Sequence, residues 1–509
     1  MRDGAQATGV SFTLEDKIKI ALNLDDIGVD YIEGGWPGSN KKDEEFFKEI
    51  KRYGLNHAKI VAFTSTRRRD TKVWQDHNLE AVLKADVKVA TVLGKAWTLH
   101  VHEVLRVSKE ENLNMIYDTI EFLRKHGVEV IFDAEHFFQG FKEDPHYALQ
   151  VLKTAEEAGA RVLVLADTNG GMMPWDVYEA LKAVINSVKT VIGVHTHNDS
   201  GCAVANTLMA VYAGARHVQG TINGIGERTG NADLIQIIPA LRYKLGMRVL
   251  KNDESIKKLK EVSQLVYRIT GLQPNPYQPY VGEYAFAHKA GVHVDAVLKN
   301  SRAYEHIEPE LVGNKRKFIV SELGGAANVI ALLKEFGIDM DKRGESVRKV
   351  VAKIKELEKQ GYSFDKAPAS ALLIALRELG LYSQKVENYG WTLFSSSTGI
   401  SVAVFNLGIT TSRSVDFDPF IALFKAATDS VKRALNIDEN LRVEVSITKF
   451  QDNMYRATLT FHSNSHSWST QGISLNVVEA LMKAFIEGFE YLYVLKSLGK
   501  AGNLSREGA

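Results

Sequence analysis

From residue 13 to about 245 the chain alternates two hydrophobic periods. Segments 14–27, 108–125 and 175–187 repeat apolar residues every three or four positions, as a helix with one buried face requires. Between such segments lie short runs of Val, Ile, Leu and Ala at 29–33, 59–64, 87–93, 128–132, 161–166, 191–196 and 217–222, which read as buried strands. Gly28, Gly54, Gly127, Gly159 and Gly214 each close a helical segment just before a strand, where a helix end favours a left-handed residue. Ser108 and Glu111 stand at capping-box spacing at the start of one helix. Seven successive strand–helix units predict a parallel sheet covered by helices, and with an eighth strand a closed barrel. Arg2-Asp3-Gly4 reads as the end of a first strand. The expected fold is therefore α/β, a (β/α)8 TIM barrel with its first strand truncated, and about ten further residues are expected upstream.

The pattern changes after residue 250. A helix over 254–270 leads into a turn-rich stretch holding Pro274, Pro276 and Pro279, followed by further helices near 325–335 and 345–360. From 385 the chain shows strands near 391–394 and 400–405 before a helix at 418–435, then strands near 441–447, 455–461 and 465–470 before a helix at 476–498. That strands-then-helix unit, repeated twice, predicts an α+β domain with internal pseudo-symmetry. The expected division is 1–250 for the barrel, 251–384 for a helical linker subdomain, and 385–509 for the C-terminal domain.

Composition narrows the function. The 509 residues are 45% hydrophobic and 25% charged, and 63 basic side chains face 62 acidic ones. Such a balance gives no global attraction to nucleic acid or to an anionic membrane. Arg67-Arg68-Arg69 is a run of only three and reads as a solvated loop. A single cysteine, Cys202, excludes a disulfide framework and a thiolate zinc site, and fits a reducing compartment. No signal peptide or bilayer-length apolar run is visible, so the expected location is the cytoplasm.

The candidate chemistry sits at strand ends. In 191–198, Val-Ile-Gly-Val-His-Thr-His-Asn, His195 and His197 fall two residues apart, so a strand points both imidazoles to one face. Two such imidazoles suit a metal ion. In a parallel barrel the catalytic groups gather where strands end. Reading off those ends gives Arg2 and Asp3, Glu33, His100, Asp133 and Glu135, Asp167 and Thr168, and the run Asn223 to Asn231. Gly224-x-Gly226-x-x-x-Gly230 is one residue too long for a dinucleotide fingerprint and follows the last strand of the series, which argues against a nicotinamide enzyme.

Six motifs in order, Arg2-Asp3-Gly4-Ala5-Gln6, Glu33 to Asn40, Ala134-Glu135-His136-Phe137, Ala166 to Gly171, the His195 run and the Gly224 run, resemble the isopropylmalate, homocitrate and citramalate synthases, with the nearest likeness in the citramalate branch. The resemblance covers the chain to Gly324, and more loosely the tail from 385. It implies condensation of acetyl-CoA with a 2-oxo acid, pyruvate for the citramalate branch, followed by thioester hydrolysis. A metal-dependent carbon–carbon lyase or aldolase and a 2-isopropylmalate synthase are the alternatives.

The resemblance also implies roles. Asp3, His195, His197 and Asn231 would hold a divalent cation, with Mg²⁺ or Mn²⁺ favoured over Zn²⁺ because oxygen ligands are present and thiolates absent. Arg2 would stabilise the developing alkoxide, Thr168 would hold the substrate carboxylate, and Glu135 would stand near the keto group. His293 and Tyr304 would complete the site from the segment after the barrel, while His100 would line it. His288 reads as an ordinary structural histidine. A homodimer is expected, with the tail as a regulatory or dimerisation domain. The run Ile409 to Phe417 replaces a Gly-rich turn of the family, so weak or absent inhibition by isoleucine is expected.

Overall fold

The computed structural model describes residues 1–321, 324–397, 399–450, 453–463 and 466–499. Residue 465, at the start of one expected strand, and residues 500–509 lie outside them. The described residues form two compact units, 1–286 with 307–315, and 287–306 with 316 onward.

The first unit is the barrel. Its parallel sheet has seven strands in sequential order, β1 (Tyr31–Gly35), β2 (Lys59–Ser65), β3 (Val89–Lys95), β4 (Glu129–Glu135), β5 (Val162–Asp167), β6 (Val191–Thr196) and β7 (His217–Gln219). Helices cover the outside, Leu14–Ile27 ahead of β1 and others between the strands, including Lys109–Lys125 and Pro174–Ile185. The five helix-closing glycines all have positive φ, as expected. Val61, Val89, Ile131, Val162 and Val164 form a separate apolar cluster, which marks the inner face. The sheet curls until the rings of Tyr31 in β1 and His217 in β7 have centroids 5.7 Å apart. Residues of both these edge strands line one cavity of about 830 Å³. Near it the N–H of Arg2 donates to the Glu33 carbonyl at 3.2 Å.

Strands β1, β3, β4 and β5 begin and end one to three residues later than the apolar runs, while β6 matches its run. Half-buried strand ends here carry polar side chains, such as Lys95 and Glu135, which no hydrophobicity pattern includes. β7 is only three residues long, because the chain turns at Ile222–Gly224 to form the loop described below. Ser108 caps its helix by accepting from the Glu111 N–H at 3.0 Å, while the Glu111 carboxylate pairs with Arg67.

Under β1 lies a buried ion pair. Lys17, on the first helix, donates to the Gly34 carbonyl at 2.9 Å and pairs with Asp43. Asp43 also accepts from the Trp36 N–H at 2.9 Å. A Cβ at Gly35 would fall 2.4 Å from the Asp43 carboxylate carbon, so this close approach requires glycine.

The second unit contains the two-residue strands β8 (Ala287–His288) and β9 (Lys317–Phe318), several helices, and two antiparallel three-stranded sheets. One sheet is β10 (Tyr389–Ser395), β11 (Ser401–Leu407) and β12 (Thr410–Asp416), with helix Pro419–Leu435 against it. The other is β13 (Arg442–Phe450), β14 (Met454–His462) and β15 (Ser467–Ser474), with helix Val477–Gly499. The expected repeat is present, each unit holding three strands.

Strand β12 and one buried helix of this unit escape the sequence pattern. β12 shows no apolar alternation because its inward position is Ser412, which bonds Ser430 and Arg433 rather than packing carbon. Helix Pro368–Glu378 is buried at every position from Ala369 to Leu376, so it has no polar face to mark a helical period.

Candidate metal centre and active site

Alternation along a strand sends residues i, i+2 and i+4 to one face, so the inner face fixes which side chains enter the barrel. Continuing from Val89 and Ile131 gives Lys95 on β3 and Asp133 and Glu135 on β4. On β6 it gives His195, with His197 just past the strand end. Parallel pairing sets Lys95 opposite Glu135 and His195 opposite Gln219.

Asp3, His195 and His197 converge, with one ligand atom from each within 4.8 Å of the others. The Nε2 atoms of the two imidazoles are 3.3 Å apart, and His195 Nε2 is 3.5 Å from an Asp3 carboxylate oxygen. All three side chains are buried. Asn231 joins them, its amide donating to Asp3 at 2.9 Å. The run Gly224 to Asn231 folds back to bring it there: the Asn231 N–H donates to the Gly224 carbonyl, and residues 197 and 231 form an isolated antiparallel bridge. A Cβ at Gly226 would fall 2.0 Å from the Asn231 amide nitrogen and 3.4 Å from an Asp3 oxygen, so only glycine leaves room.

The donor set fits a divalent cation. Asn231 Oδ1 is buried without a hydrogen-bond donor among the described residues, and it lies beside a carboxylate and two imidazoles. Burial alone would raise the Asp3 carboxyl, but Arg2, His195 and the Asn231 amide outweigh it and hold it down at about 2. Burial, and then repulsion from His195, push the His197 imidazole down to about 4. Both groups are thus in the forms that ligate a metal.

Behind these four side chains stands a second layer of hydrogen bonds. His195 Nδ1 is 2.8 Å from Gln219 Oε1, and the Gln219 amide nitrogen donates to Asp133 at 2.9 Å. Burial raises the Asp133 carboxyl to about 7. Asp133 was legible as a strand-end acid, whereas Gln219 was missed because an inward glutamine carries no motif.

Arg2 reaches Glu33 at 2.6 Å and Asp3 at 3.3 Å, and its guanidinium lies 3.9 Å from the centre of the Phe63 ring. The Glu135 carboxylate pairs with Lys95, which no motif or spacing in the sequence marks. His100 and His136 stand beside it, their ring centroids 4.2 Å apart, and one ligand atom from each of His100, Glu135 and His136 lies within 4.8 Å of the others. Burial, followed by repulsion from His100, lowers His136 to about 4. Thr168 Oγ1 accepts from the His136 N–H at 2.8 Å, which ties it to the Glu135 strand end. Asp167, another strand-end candidate, is occupied structurally: it accepts from Gln139, Gly171 and Met172.

His293 and Tyr304 lie in the second unit. The first is exposed on helix Gly291–Lys299 and the second follows the turn Ser301–Ala303; their ring centroids are 4.3 Å apart. His288 bonds Glu305 at 2.9 Å, the structural role expected of it.

The HMGL-like family profile matches residues 1–266, and the homocitrate synthase post-HMGL domain-like profile matches residues 280–362. The chain is 53% identical over 512 residues to the (R)-citramalate synthase of Sulfolobus acidocaldarius, covering 98% of this chain and 97% of that protein. It is 46% identical to the (R)-citramalate synthase of Aquifex aeolicus, covering 96% of each. A 2-isopropylmalate synthase of Methanocaldococcus jannaschii is more distant, at 34% identity over 96% of this chain and 92% of its own. The chain belongs to the HMGL-like family, among the citramalate, 2-isopropylmalate and homocitrate synthases.

Proposed function

We infer that this chain condenses the acetyl group of acetyl-CoA with pyruvate and hydrolyses the thioester, giving (R)-citramalate and CoA. The observation that carries the reading is near-full-length likeness to (R)-citramalate synthases in a chain whose Asp3, His195, His197 and Asn231 converge in one buried cluster.

A divalent cation held by those four residues, Mg²⁺ or Mn²⁺ by ligand chemistry, would polarise a bound keto group as a Lewis acid. Arg2, fixed by Glu33 and Phe63, offers its charge to the oxygen that becomes an alkoxide. Thr168 offers a hydroxyl to the substrate carboxylate. Glu135 stands ready to take a proton from the acetyl methyl, with Lys95 orienting the carboxylate and His100 lining the space. His293 and Tyr304 would serve the hydrolytic half of the reaction. The active form is a cytoplasmic homodimer that supplies isoleucine synthesis. Residues 385–509 act as its assembly and effector domain, with a weak response to isoleucine because the turn Ile409 to Phe417 has become strand β12.

Thiol release from acetyl-CoA, measured with pyruvate, 2-oxobutyrate, 2-oxoisovalerate and 2-oxoglutarate, tests the assignment. Pyruvate should give the highest kcat/KM. Preference for 2-oxoisovalerate would make the chain a 2-isopropylmalate synthase instead.

A further inference from the structure

The arginine run read above as a solvated loop is held firmly in place. Arg67 is buried and spans Glu111 and Asp118, at 2.9 Å to each, and its N–H donates to Thr119. The Arg68 N–H donates to Asp76 at 2.9 Å. Arg69 reaches across to the Arg106 carbonyl at 3.3 Å. Arg106 ends the π-helical turn His100–Leu105 with φ 55, a left-handed conformation that costs a non-glycine residue energy.

These segments wall a cleft of about 720 Å³ that opens at the mouth of β2 and β3. Its outer part carries Arg68, Arg69 and Arg106; its inner part reaches Leu93, Trp36 and Lys95, and Lys95 touches Glu135. The acids that also line it, Asp70 and Glu103, leave the balance positive. Asp70 lies 3.9 Å from Arg69, while the exposed side chains of Arg68 and Arg106 have no carboxylate partner among the described residues. Two unpaired guanidiniums on a pinned backbone are arranged to receive phosphate, whose oxygens match their forked donors.

We propose that this cleft seats the coenzyme half of the acyl donor, with Arg68 and Arg106 binding the phosphates of the CoA nucleotide and the inner end directing the acyl group towards Glu135. The proposal rests on acetyl-CoA being the donor. It accounts for a cluster of cations beside a catalytic mouth whose other substrate is a small monoanion.

The test uses the full chain and the variants Arg68→Ala, Arg106→Ala and Arg106→Gly. The glycine variant removes the side chain while relieving the left-handed backbone, so misfolding does not explain a loss. KM for acetyl-CoA should rise about tenfold in each, as expected for a lost charge-assisted hydrogen bond to phosphate. KM for S-acetylpantetheine, which lacks the nucleotide phosphates, and KM for pyruvate should change less than about twofold. Calorimetric binding of CoA itself should weaken in parallel, a readout independent of turnover. Unchanged KM for acetyl-CoA, or equal losses with both donors, overturns the cleft assignment. A wild-type chain that binds CoA through these arginines yet forms no product with any 2-oxo acid overturns the reaction and leaves the cleft standing.

Discussion

His195 Nδ1 and Gln219 Oε1 lie 2.8 Å apart, and that contact determines which imidazole nitrogen faces the site. Gln219 spends its amide nitrogen on Asp133, so its oxygen is left to accept the His195 Nδ1 proton and Nε2 keeps a lone pair for a cation. Gln219→Leu should therefore lower affinity for Mn²⁺ about 10–100-fold with little change in fold. Metal titration followed by circular dichroism checks both parts. Wild-type affinity in the variant would show that the relay does not orient the ligand.

Removal of the cation should abolish turnover. His195→Ala and His197→Ala should each cost more than about a hundredfold in kcat, since ligand loss exceeds the effect of losing a second-layer partner. In the wild type, cation at a hundred times its Kd should stabilise the fold by about 2.7 kcal/mol, and neither histidine variant should show the full gain. Thermal melts with and without EDTA measure this, and near-normal rates in both variants would remove the centre from the mechanism.

The contribution of Asp133 to stability without metal should fall as pH rises towards 7. Burial lifts the folded-state pKa of Asp133 from 3.8 to about 7, so folding favours the protonated form. The contribution is complete below about 4 and is lost as pH climbs through about 7, a swing on the order of 4 kcal/mol. Asp133→Asn does not titrate, so its stability relative to the wild type should grow between pH 4 and 7 and then level off. Urea melts in EDTA across that range decide it; a constant difference would contradict the raised pKa.

Lys17→Met should destabilise the barrel by about 3–5 kcal/mol, because it leaves the Asp43 carboxylate buried without its cation. Lys17→Met with Asp43→Asn should be less damaging than Lys17→Met alone. The order of the two urea midpoints checks it, and the reverse order would mean that Asp43 is adequately held by the Trp36 and Asn40 donors.

The barrel was legible because its strands are buried on both faces and its helices on one, two periods that hydrophobicity separates cleanly. His195 and His197 were legible from their spacing on a strand, and Asp3 and Asn231 from the resemblance of their motifs to the family. Lys95 and Gln219 were not. Each is placed by the register of two strands distant in sequence, Lys95 against Glu135 and His195 against Gln219, and no local pattern encodes that pairing. Strand β12 was hidden for a different reason: it fills its inward position with a hydrogen-bonded serine.

Asp3 and Asn231 meet across 228 residues of chain, with both histidines coming from between them. During synthesis the first ligand must therefore wait for the last. At about 5–20 residues per second that interval is roughly 10–45 seconds, in which the nascent barrel has no complete seat for a cation. A metal held there would enter as a final clasp on an almost finished domain, and a ribosome-held chain that stops short of Asn231 should exchange it freely.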